Sequence, residues 1–167
     1  MYCLWSIAAH GSSIDIDTNS LSIFNVVEEI HLPGAPPNPD SVIWISFPMV
    51  LLCGWKRTNP SDEGYLRVEL HSAAGERLFG SPGAGVQLTF GQSKQSRTRV
   101  NVPAFPIKGE GEYNFRILLS SSETGPFEEV AHVPIEVSYT PLTREQVQAA
   151  PRSYADVNIQ FAGEEGH

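Results

Sequence analysis

The sequence predicts an all-β chain: an antiparallel β-sandwich of seven to eight strands over residues 1–140, followed at 141–167 by a short helix and a tail expected to be mobile. Three observations predict it. Short runs alternate between apolar and polar residues, the period of a strand with one buried face. Clusters of turn-forming residues separate those runs at the regular spacing typical of sandwiches and barrels. No long amphipathic helical pattern occurs before Pro141.

The strongest element is a hairpin from Gly111 to Tyr139. Tyr113, Phe115, Ile117 and Leu119 share one side, with Asn114 and Arg116 on the other. Ser121 to Pro126 supplies the turn, and Val133, Ile135 and Val137 repeat the alternation on the return. An isolated hairpin is marginal in water, so a second apolar layer has to cover its inner face.

The remaining elements fall in order. Cys3 to Ala9 reads as a first strand, loosened by Gly11-Ser12-Ser13, and Asp17-Thr18-Asn19-Ser20 reads as a turn. Leu21 to Val27 reads as a central strand, because neither of its faces is cleanly polar. Pro33 to Asp40 holds four prolines in eight residues and reads as an exposed connection. Val42 to Trp55 is the most apolar stretch. Pro48 cannot donate to a ladder, so the strand is expected from Met49 to Lys56, with Val42 to Phe47 packing before it. Tyr65 to His71 alternates, with Leu66, Val68 and Leu70 inward. Leu78-Phe79 is a short strand, Val86, Leu88 and Phe90 alternate, and Thr98, Val100 and Val102 alternate against Arg97, Arg99 and Asn101. Pro103 to Glu110 is a connection. Thr143-Arg144-Glu145-Gln146 matches a capping box, and Pro151 ends the helix it would start.

At 167 residues the chain is long enough for one domain with a real core. A net charge of −8 and a pI near 5.0 argue against nucleic acid and against anionic membranes as partners. Cys3 and Cys53 are expected as free thiols in a reducing compartment. The first ten residues lack a basic segment and a long apolar run, so the expected location is the cytoplasm.

Candidate chemistry is sparse. Asp15, Asp17 and Asn19 have the oxygen spacing of a calcium loop, but Ser20 and Val26 stand where an EF-hand needs glycine and glutamate. Asp40 and Asp62 could add carboxylates from other loops; the simpler reading is an Asx turn, and no metal or cofactor is expected. Histidines 10, 31, 71, 132 and 167 form no pair at ligand spacing. Gly80 to Gly85 lacks the Lys and Ser/Thr of a phosphate loop. No catalytic residue is therefore assigned. Lys94, Arg97, Arg99 and Arg116 are read as a local basic patch, open to an anionic partner or neutralised by residues such as Glu128 and Glu136. Phe127 follows a turn and is a candidate loop contact. Val157, Ile159 and Phe161 alternate with Asp156, Asn158 and Gln160, a pattern able to add to a bare sheet edge, its own or a neighbour's.

Leu21 to Ile30, Phe47-Pro48-Met49-Val50 and Gly111 to Arg116 occur in an order that resembles a family of small, uncharacterised prokaryotic β-sandwich proteins known as a domain of unknown function. The resemblance covers Cys3 to Tyr139. It implies the sandwich and a bacterial setting, and it brings no site residues with it. The Gly-x-Tyr-x-Phe piece also recurs in immunoglobulin-like and C2-like sandwiches, so either outline is expected. The function that follows is a non-enzymatic protein-binding or assembly module working through a sheet edge or loops. The alternatives are a small-ligand or carbohydrate binder using the loops, and a hydrolase with a dispersed site.

Overall fold

A computed structural model describes residues 1–34, 38, 41–80 and 85–142. Among these every regular element is a β-strand. In chain order they are β1 (Tyr2–Ile14), β2 (Leu21–Val26), β3 (Glu29–Pro33), β4 (Ile43–Ile45), β5 (Met49–Lys56) and β6 (Tyr65–His71). Then come β7 (Arg77–Gly80), β8 (Val86–Gln87), β9 (Gln95–Val102), β10 (Phe105–Ile107), β11 (Gly111–Ser120) and β12 (Glu128–Thr140). The helix expected from Thr143 lies outside the described residues.

One sheet has four strands in the order β2-β1-β5-β9, all antiparallel. The other has six: β3-β12-β11-β6-β7, with β8 also against β6. A two-stranded ribbon joins β4 to β10. Both large sheets contribute to a single core. Ala8, Leu51, Cys53 and Trp55 come from the first, and Leu70, Tyr113, Phe115, Ile117, Ile135 and Val137 from the second. Phe105, from the ribbon, is fully buried among them and its ring packs on those of Tyr113 and Phe115.

The alternation places most strands correctly. β5, apolar along almost its whole length, and the inward faces of β6, β11 and β12, each with one unambiguous apolar side, are as expected. Among the described residues the strands number twelve, not seven to eight, because pieces such as β4, β8 and β10 have two or three residues each and leave no alternation to read. β1 does not stop at Ala9 but runs on through Gly11–Ser13. The strand expected from Leu21 to Val27 is present as β2, but it is not central, and a further strand, β3, follows it where none was expected. β2 is an edge of the first sheet, while β3 crosses to the second and pairs with β12, the one parallel pairing among the described strands. Asn25, at φ 52°, lies at this break and ends the regular extension of β2.

Candidate functional site: a hairpin-covered groove on the four-stranded sheet

β5 is buried on both faces, and that double burial makes the groove. Met49, Leu51, Cys53 and Trp55 face the shared core. Val50 and Leu52 point the other way and, with Ala9, form a second small buried cluster against which Trp5 and Ile23 pack. Trp5 is opposite Gly54 in the ladder. A Cβ on Gly54 would lie 2.4 Å from the indole, so the ring rests on a bare α-carbon.

The lid over this floor is the far half of the β1–β2 hairpin. β1 pairs with β5 only as far as Ala9, and Gly11 to Ile14 continue with β2 alone. Ile14 lies nine residues beyond Trp5, which would put it about 30 Å away on a straight strand. Instead Trp5, Ile14 and Leu21 line the same two hollows with Arg97 of β9, one of about 690 Å³ and one of about 250 Å³. The hairpin therefore folds back across the outer face of its own sheet.

Its tip is set by local bonds. Thr18 donates both its backbone N–H and its hydroxyl to Asp15 Oδ1, each at 2.7 Å, and Asn19 takes φ 54°. These bonds from Thr18 hold the Asp15 carboxyl below its ordinary pKa. Arg97 Nη1 donates to the Asn19 carbonyl at 3.0 Å and so ties the tip to β9, at the opposite edge of the sheet from β2.

Arg97 and Arg99 emerge from β9 opposite Gly54 and Leu52. Both are exposed. Among the described residues neither meets a carboxylate: Arg97 bonds only Asn19, and Arg99 makes no hydrogen bond or ion pair. Elsewhere Arg77 pairs with Glu69, Arg116 with Glu129 and Lys108 with Glu76. On an acidic chain, two cations without counter-charges beside an apolar hollow are the clearest chemical feature of the surface.

The other expected site residues are placed elsewhere. Arg116 lies on β11 of the six-stranded sheet, so it does not share a patch with Arg97 and Arg99. Its partner is Glu129, not Glu128 or Glu136, because an irregularity after Ile117 shifts the register of β12. Around it, His71, Asn114, Glu129 and His132 line a polar hollow of about 470 Å³. The arginines there are matched, Arg116 by Glu129 and Arg77 by Glu69, whose carboxyl is raised by burial but held lower on balance by His71 and Arg77. Phe127 is half-buried, with the Arg67 guanidinium 3.9 Å above its ring and Gly85 beneath, so it is not an exposed loop contact. Val157, Ile159 and Phe161 lie outside the described residues.

The carboxylates considered for calcium are engaged locally. Asp62 accepts the backbone N–H groups of Thr58 and Asn59 at 2.9 Å each, and Asp15 is bound within its own turn. Among the described residues no group of three His, Cys, Asp or Glu could hold a metal ion, and Asp40 is outside them. Cys3 and Cys53 are free thiols; burial, with Cys3 nearby, pushes Cys53 up to about 12. No helix among the described residues is long and apolar enough to cross a membrane.

The groove was not legible beforehand because its walls come from four separated stretches. Only Arg97 and Arg99 gave a signal. No family model, curated protein or solved structure matches the chain.

Proposed function

We propose that the two large sheets form one β-sandwich, immunoglobulin-like or C2-like in outline. On this reading the chain is a non-enzymatic protein-binding or assembly module, and its working surface is the arginine-flanked face of the four-stranded sheet. One observation carries the proposal: Arg97 and Arg99 stand beside an apolar hollow with no carboxylate partner among the described residues. An apolar floor supplies contact area, while unpaired guanidiniums select an acidic partner and reject a basic one. A surface groove walled by strands and partly open to solvent suits an extended segment of another protein better than an enclosed small molecule. On the opposite sheet Arg77 and Arg116 are each paired with a glutamate and offer no comparable selection.

The test compares the full chain with an R97E/R99E variant and an R116E control as immobilised baits. A protein retained by the wild type and by R116E but lost from R97E/R99E supports the proposal. Identical retention by all three baits rules this surface out.

A further inference from the structure

β9 is an edge of the four-stranded sheet, and its backbone and its charges point the same way. Its eight residues keep unbroken register with β5 from Gln95 to Val102. On its other side, among the described residues, no strand is paired with it. One bond sets the phase of the ladder: the Arg57 N–H donates to the Lys94 carbonyl at 3.0 Å, one step beyond the pair of Lys56 with Gln95. Hydrogen-bonded and non-hydrogen-bonded pairs alternate along an antiparallel ladder. Ser96, Thr98, Val100 and Val102 therefore direct their N–H and C=O groups to β5, whereas those of Gln95, Arg97, Arg99 and Asn101 are directed away from it. The same four residues carry the exposed side chains of the strand. Both guanidiniums that lack a carboxylate thus belong to residues whose backbone groups face the unpaired side.

Together these features define an occupant. A strand that pairs antiparallel with β9 places one residue opposite Arg97 and another, two positions away, opposite Arg99, each with its α-carbon about 5.5 Å from that of the arginine. Opposite charges across such pairs attract, and like charges repel. Aligned with a second copy through the same backbone groups, Gln95 to Asn101, β9 would set Arg97 against Arg99 twice, which disfavours pairing of this edge with itself. Between the charged positions an added strand turns a side chain to the inner face, beside half-buried Ser96, Thr98 and Val100, where an apolar residue fits. The other edges lack this combination. β3 exposes Glu29, already paired with His31. β7 has four residues and β8 two. β2 carries no charged side chain and is interrupted at Asn25.

We infer that β9 takes up an extended acidic segment of another protein as a fifth, antiparallel strand, with two Asp or Glu residues seated opposite Arg97 and Arg99 and an apolar residue between them. Main-chain bonds to Gln95, Arg97, Arg99 and Asn101 hold the segment, and the arginines select its charge and fix its register. The antiparallel sense continues that of every other pairing in this sheet. The inference rests on the proposed role of the arginine-flanked face and states what docks there and by which groups. Recognition is then of a short acidic–apolar alternation in extended chain, not of a folded surface.

The probe is a capped heptapeptide, Thr-Val-Glu-Val-Glu-Val-Thr, titrated into the full-length protein beside the same peptide methylated on the backbone nitrogens of both glutamates. The methylated peptide should bind at least about tenfold more weakly, since it loses two ladder bonds and keeps both charges. At saturation with the plain peptide, hydrogen exchange at the amides of Gln95, Arg97, Arg99 and Asn101 should slow at least about tenfold, and at Ser96, Thr98 and Val100, already bonded to β5, it should change less. An R97E/R99E variant should lose this peptide and gain one with lysine in place of both glutamates. Equal binding of the plain and methylated peptides, or protection without the alternation, overturns strand addition while leaving the R97E/R99E capture result to stand or fall separately. No binding of the plain peptide at millimolar concentration also overturns it, even where a captured protein upholds the face as a binding surface.

Discussion

A single methyl group tests the floor of the groove. In Gly54→Ala the new Cβ would meet the Trp5 indole at 2.4 Å, and the half-buried ring can yield where the ladder cannot. The expected result is displacement of Trp5, seen as a red-shifted, more quenchable tryptophan emission. The accompanying loss of stability is about 1–3 kcal/mol, the usual cost of overfilling a packed site. Unchanged emission would mean that Trp5 does not lie on Gly54. Asp62 gives a pH signature. Hydrogen bonds from Asn59 and Thr58 draw its carboxyl down to about 2, against an unfolded value of about 3.9. A depressed carboxyl stabilises the fold above its unfolded pKa, and the contribution is lost as pH falls from there towards 2. Asp62→Asn should flatten this part of the acid-unfolding curve, measured by circular dichroism; an identical slope in the variant counts against the assignment. Alternation along one strand gave away Tyr113, Phe115 and Ile117. It could not foretell that Trp5 lies under a folded-back hairpin, or that Arg67 covers Phe127, because both depend on residues far along the chain.

At the scale of elements, the start of β11 shows how one side chain fixes a strand's entry. Tyr113 Oη accepts the Lys108 N–H at 2.7 Å and donates to the Gly109 carbonyl at 2.9 Å, closing the turn that leads from β10. Gly109 and Gly111 have φ of 85° and 119°, values that a side chain resists. Tyr113→Phe keeps the buried ring but leaves the Lys108 N–H unmatched. It should cost about 1–3 kcal/mol in urea unfolding. A midpoint equal to that of wild type would show that water replaces the hydroxyl at no cost. The same scale separates what was readable from what was not. β5, β6, β9, β11 and β12 each carry a regular pattern over at least seven residues, and their positions follow from it. β3, β4, β8 and β10 have five residues or fewer, and their pairings are set by partners elsewhere. The parallel pairing of β3 with β12 joins residues more than a hundred positions apart, beyond any local pattern.

For the molecule as a whole, the division between core and tail follows from where the buried side chains lie. Among the described residues the last fully buried one is Val137, with half-buried Tyr139 packed against the same core. A chain ending at Leu142 keeps every described strand, including β3, whose parallel partner residues in β12 run from Glu136 to Thr140. Removing residues 143–167 should therefore leave one cooperative unfolding transition, because cooperativity comes from the shared core. Arg97 and Arg99 stand on the same strand with no carboxylate partner among the described residues, so added salt should stabilise the protein by screening their mutual repulsion. Urea unfolding of both proteins at low and high ionic strength measures both effects. A broad, non-cooperative transition in the truncated protein would place part of the core beyond Leu142. Stability that does not rise with salt would show that the two guanidiniums do not repel each other appreciably, and the two outcomes are independent of each other.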